Sequence, residues 1–137
     1  MGIAHCAEGR GIIAFESGEL GGAADFLTEA VNIFASYGNI GCTAHALEAA
    51  AVVIGTAGHG DAGVPLELLT AADELRRQSG QGHRPWRYAP GSEIWRTALP
   101  YPTPASAPAP AGRDYSLSAA ASLAIRALRS LTTSTAS

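Results

Sequence analysis

Apolar positions recur along this chain at helical spacing, and the punctuation between them is glycine and proline. Residues 3–17 predict a first helix with Ile3, Cys6, Ile13 and small residues on one face, stopped at Gly18. Residues 22–36 predict a second helix. Its Phe26, Leu27, Ala30, Val31 and Phe34 form a stripe of the width a packed core needs, and Gly38 suits its end. Residues 43–57 predict a third, Ala-rich helix carrying Leu47, Val53 and Ile54. So little side chain lets neighbouring helices approach closely. A loop with Gly58, Gly60 and Gly63 follows. Pro65 then fits the first turn of a fourth helix, where its missing N–H costs nothing. Leu66, Leu69, Ala72 and Leu75 make the inner stripe of that helix, and Gly80 stops it.

The pattern then breaks. Seven of the eight prolines fall between Pro85 and Pro110, which excludes a long helix there. Residues 92–98 alone suit a short helical turn, and residues 104–112 read as an Ala/Pro linker. Order resumes at Ser116, a good N-cap. Leu117, Ala121, Ala124, Ile125, Leu128 and Leu131 then give a last helix one apolar face, and residues 132–137 read as a frayed tail. The expected organisation is therefore two helical hairpins over 1–82, a Pro/aromatic-rich irregular segment over 83–114, a helix over 115–131 and a tail. No strand is evident, so the expected class is all-α.

The first two hairpins echo each other. Ala4-His5, Glu8 and Gly18 recur as Ala44-His45, Glu48 and Gly58, an offset of 40. Leu27-Thr28 and Ala30 recur as Leu69-Thr70 and Ala72, an offset of 42, which implies a two-residue insertion between Gly58 and Pro65. A period of this length with two helices per unit predicts a helical-repeat protein, and such repeats build surfaces rather than reaction centres.

Gly11, Gly18, Ala23 and Ala30 stand at the spacing of the small positions of a tetratricopeptide repeat, with Leu27 at its large apolar position. Ala51, Leu69 and Ala72 match in the second unit, with Gly60 as turn glycine. Ala14 in place of an aromatic, Pro65 in place of a small residue, and the longer units depart from that motif. Residues 40–80 and 111–128 carry a more particular likeness. Gly41-Cys42, Ala46-Leu47-Glu48, Leu68 to Arg76, Gly80, Gly112 to Leu117 and Ala120-Ala121 through Ala127-Leu128 resemble the last repeats of actinobacterial LuxR-type and related ATPase transcriptional regulators. The resemblance implies a helical-repeat sensor or docking region, of the kind that sits beside an ATPase module and a DNA-binding helix-turn-helix. Neither is in this chain. It has no GxxxxGK[ST] phosphate loop and no Lys at all.

Charge divides the chain. Residues 1–75 hold ten acids and one Arg, and residues 76–137 hold eight Arg and two acids, for a net charge of −3. Either the basic part folds back on the acidic helices, or it offers a face to an anionic partner. Nucleic acid is not the expected partner, because the arginines are spread too thinly for a dense patch. The 47% of hydrophobic residues is ordinary for a folded protein, and no apolar run reaches the ~18 residues of a membrane span. Cys6 and Cys42 lack CxxC spacing and read as small buried thiols in a reducing cytosol, and no signal peptide is visible, so the expected location is cytoplasmic.

Candidate chemistry is sparse. Gly58-His59-Gly60-Asp61-Ala62-Gly63 spells GxGxxG, but it follows a helix rather than a strand and reads as a helix–helix turn. His5 with Glu8, and His45 with Glu48, are i, i+3 pairs. Four converging ligands of this kind could hold a metal in a helical bundle. The competing reading is that duplication alone placed them, as partly exposed polar residues. Trp86, Tyr88, Trp95 and Tyr101 interleave with Arg84, Arg87 and Arg96. These either plug the open end of a two-unit stack or grip a partner; a second copy of the chain is another way to cover that end, giving a homodimer. The expected function is non-catalytic protein–protein or self-association, with no cofactor. A protein or peptide is the expected partner, with Trp86, Tyr88, Trp95, Arg84 and Arg87 as the expected contacts. The alternative is a small-molecule or metal-binding bundle built on His5, Glu8, His45 and Glu48.

Overall fold

The computed structural model describes residues 2–57, 63–80 and 115–136. All of its regular structure is helical. The helices are α1 (Gly2–Glu16), α2 (Leu20–Ser36), α3 (Ile40–Ala57), α4 (Gly63–Gln78) and α5 (Leu117–Ala136), and no strand occurs among the described residues.

Local signals explain the helix boundaries. Gly18 and Gly38 adopt positive φ, 82° and 71°, conformations that cost an L side chain energy. Each closes its helix with paired bonds. Gly18 N–H donates to the Phe15 carbonyl and Glu19 N–H to that of Ala14. Gly38 and Asn39 repeat the arrangement on Ala35 and Phe34. These 5→2 and 6→1 bonds satisfy carbonyls that a helix end would otherwise orphan. Asn39 then caps α3 at once, its Oδ1 accepting the Cys42 N–H at 2.9 Å. Gly80 ends α4 at φ 77°. Ser116 is the N-cap of α5, its Oγ accepting the Ala119 N–H at 3.2 Å. The last helix continues through residues 132–136, where a tail was expected. That stretch contains no Gly or Pro, so once the helix is anchored upstream nothing breaks it.

Packing starts from two hairpins, α1 with α2 and α3 with α4, joined by contact between α2 and α3. α5 does not extend this row. It lies across α2 chiefly, and also across α3 and α4, so the described core closes by a fold-back of the C-terminal helix. The Gln78 side-chain amide donates to the Tyr115 carbonyl at 3.1 Å, which ties the end of α4 to the start of α5. α3 becomes the central helix. Every residue from Thr43 to Ile54 except His45 is buried, as a helix apolar nearly all round requires. α3 also has the length and apolarity of a membrane span, with 61% of that window buried inside the bundle.

The inner face of α1 differs from the expectation. Ala4, Ala7, Gly11, Ile12, Ala14 and Phe15 are buried, while Ile3, Cys6 and Ile13 are exposed. Close approach is the reason. A Cβ at Gly11 would come within 3.2 Å of Leu27 Cγ and 3.4 Å of the Ala23 carbonyl oxygen. α2 thus comes near enough that only the small face of α1 fits beneath it. A branched side chain here must push into a Leu27 that is only 1% exposed. Gly11→Val is expected to cost about 1–3 kcal/mol in chemical denaturation. A stability within experimental error of wild type would show that α1 can move away from α2.

The other faces follow the sequence more closely. Leu27, Ala30, Val31 and Phe34 of α2 are buried, with Phe26 half-buried. On α4 the buried set is Pro65, Leu68, Leu69, Ala71, Ala72, Leu75 and Arg76, with Leu66 half-buried at the edge. On α5, Ala121, Ala124, Leu128 and Leu131 are buried as expected, with Ala120 added and Leu117 and Ile125 half-buried.

Candidate functional site

Two features of the surface and core bear on function: a polar cluster joining α1, α3 and α4, and an open groove on the outer flank of α1.

The polar cluster is built from residues of the sequence echo, but their environments are not equivalent. Glu48 projects from α3 into the core and is 2% exposed. Its partner is Arg76 of α4, itself 4% exposed. Arg76 Nη1 donates to Glu48 Oε2 at 2.7 Å and Nη2 to Oε1 at 2.5 Å, a two-pronged pairing of planar groups. Burial pushes the Glu48 carboxyl above the usual carboxylate range, opposed by the hydrogen bonds and charge of Arg76. Glu48 is therefore not the partly exposed residue expected of a duplicated surface position.

His45, one turn earlier on α3, faces α1 instead. Its Nδ1 lies 3.0 Å from Glu8 Oε2, the two side chains being 24% and 12% exposed. α1 and α3 otherwise barely touch, so this pair is the main polar link between them. His5 sits apart, its ring edge-on to Phe34 with centroids 5.1 Å apart. The structure thus brings Glu8 and His45 together, commits Glu48 to Arg76, and leaves His5 against an aromatic ring. The four candidate ligands do not converge, and no group of three or more His, Cys, Asp or Glu side chains suited to a metal ion occurs among the described residues.

The His45–Glu8 pair has a pH signature. Burial lowers the His45 pKa, but the Glu8 hydrogen bond and the charges of Glu8 and Glu48 outweigh it and hold the pKa above the ordinary imidazole value, with Arg76 opposing. A histidine with a raised folded-state pKa adds stability below its unfolded pKa, near 6.5, and loses it as pH rises through the folded value. His45→Gln does not titrate. Wild type is therefore expected to exceed His45→Gln in stability by a margin that is full at about pH 6 and shrinks toward about pH 9. Urea titrations of both proteins across that range would test this; a margin that does not change with pH contradicts it.

The groove runs along α1 and α2. About 500 Å³ in volume, it is lined by Gly2, Ile3, Cys6, Ala7, Arg10, Phe26 and Glu29. Ile3 is 70% exposed and Ile13, further along the same flank, 64%. The Arg10 guanidinium carbon lies 6.0 Å from the Phe26 ring centroid, a cation–π distance. Sequence reasoning assigned Ile3 and Ile13 to the core and so missed this surface. The signal was the run of Ala and Gly on the opposite side of α1, which marks where another helix comes closest.

The expected contact residues Trp86, Tyr88, Trp95, Arg84 and Arg87 lie outside the described residues, as does most of the GxGxxG stretch; its last glycine, Gly63, opens α4. No family model matches the chain, and no curated protein or solved structure shows significant similarity to it.

Proposed function

We propose that the chain is a non-catalytic protein-interaction module that works by docking a protein or peptide on the flank of α1. The observation that carries this reading is the exposure of Ile3 and Ile13 beside an open groove. Large branched side chains on an outer helix flank have no role in the core, and apolar surface of this kind marks interaction sites. The polar groups of the interior support the same reading from the other side. Glu48 and Arg76 are buried and joined to each other by two hydrogen bonds, which suits a structural tie better than a reacting centre. The setting that fits is the cytoplasmic repeat region of a transcriptional regulator, on the resemblance carried by residues 40–80 and 111–128.

A photo-reactive amino acid placed at position 13 tests the reading in cells, with the same group at the exposed Ser118 of α5 as reference. Position 13 is expected to give a discrete protein adduct that position 118 does not. Equal labelling at both positions, or none at 13, overturns the proposal.

A further inference from the structure

The flank of α1 has the geometry of a helix-pairing seam, and we infer that its occupant is the α1 flank of a second copy of this chain, packed antiparallel about a two-fold axis. The inference rests on the docking role proposed above and names the partner.

Ile3, Cys6, Arg10 and Ile13 follow i, i+3, i+7, i+10. At 100° per residue they fall in one narrow arc, the spacing that brings two helices together along a seam. The arc is on the side of α1 opposite Glu8, which is occupied by His45 of α3. The seam therefore faces away from the chain's own core. Gly9, at the edge of the arc, carries a second hint. It sits mid-helix, where Gly costs roughly 1 kcal/mol relative to Ala, yet a Cβ there would meet nothing within 4 Å. Nothing among the described residues requires the glycine, whereas a second backbone passing close by would.

Charge selects the partner and the register. The groove holds one cation, Arg10, and one anion, Glu29. Within one copy, α1 and α2 run antiparallel with Arg10 opposite Phe26 and Gly11 opposite Leu27. Glu29 therefore stands one turn toward the start of α1, level with Cys6 and Ala7. Place a second α1 antiparallel, with the two-fold axis at the level of residue 8. Ile3 then faces Ile13 of the second copy, and Cys6 faces Arg10 of the second copy. That Arg10 arrives beside Glu29. The two-fold repeats each contact, so both exposed isoleucines and both opposite charges are matched twice, as an isologous interface demands. Arg10 is the sole arginine of residues 1–75, which contain no lysine, so the counter-charge that a second copy offers Glu29 comes from this one position. One helix flank and its groove supply less than the ~800 Å² per partner of a standard stable interface, so the dimer is reversible and concentration-dependent.

Sedimentation equilibrium of the full chain, from about 5 to about 500 μM, tests the inference. The expected result is a monomer–dimer equilibrium within that range. Ile13→Glu is expected to leave only monomer. Arg10→Glu and Glu29→Arg are each expected to weaken the dimer about tenfold or more, and the double reversal Arg10→Glu/Glu29→Arg to restore it. All of these side chains are on the surface, and unchanged helical circular dichroism would confirm that the variants fold. A monomer at every concentration, or a dimer indifferent to these changes, overturns the inference. A monomeric chain that still gives a foreign-protein adduct at position 13 would sink self-pairing while leaving the docking role intact.

Discussion

Glu48→Ala is expected to destabilise the protein by about 3–5 kcal/mol. The glutamate itself is not the source of most of this loss. Removing it strands the Arg76 guanidinium, which is 4% exposed and donates two hydrogen bonds to Glu48. A guanidinium cannot escape by losing its proton, because arginine stays charged in proteins. Either water must enter the α3–α4 contact or α4 must shift. Arg76→Ala should be similarly harmful for the mirror reason, a buried carboxylate without its partner. The double replacement Glu48→Leu/Arg76→Met is the informative control. It removes both charges and fills the space with apolar groups, so its stability should return close to wild type or exceed it. Urea unfolding of the four proteins measures the pair directly. If Glu48→Ala falls within about 1 kcal/mol of wild type, the pair is solvated in solution and the burial seen here does not persist.

Phe34→Ala is expected to cost about 3–5 kcal/mol, for a different reason. Phe34 is fully buried on α2, the helix that meets α1, α3 and α5. Its ring also supports the edge of His5. Replacing it leaves a hole in a core rich in alanine, whose short side chains have little reach to fill it. With a total stability of about 5–15 kcal/mol expected for a domain, this one change removes a large share. Thermal unfolding checks it. A loss below about 1.5 kcal/mol would mean the bundle collapses readily around the gap.

How far the sequence revealed these features varied by helix, and the variation has physical causes. α2 was read well because its large apolar residues all lie on one side. The stops at Gly18, Gly38 and Gly80 and the cap at Ser116 were legible because each depends on a local conformational preference. α1 was misread because size was taken as a guide to burial. Its closest neighbour approaches along Ala4, Ala7 and Gly11, and the larger Ile3 and Ile13 are left outside. The Glu48–Arg76 pair was not anticipated, although the chain did contain a sign of it. Glu48 is the one acidic residue of α3, in the middle of an apolar run, and a buried carboxylate requires a partner. Identifying that partner as Arg76 needed the hairpin geometry, since the two residues lie 28 positions apart. The echo between His5/Glu8 and His45/Glu48 was real in sequence but did not predict environment. The second histidine reaches back to the first glutamate, so the pairing crosses between the two halves of the echo.

The fold-back of α5 onto α2 orders events in time. Each of the two hairpins closes through contacts near in sequence, which form quickly. The α2–α5 contact instead joins segments on either side of α3, α4 and residues 79–116, so a long loop must close before it forms. Synthesis reaches α5 only after the other four helices. Until then, the side of α2 that α5 covers lacks the helix that packs on it, and the nascent protein carries that surface while α3 and α4 are made. A chain cut short before Ser116 would keep that surface bare, which makes α5 the element that shields α2 from aggregation.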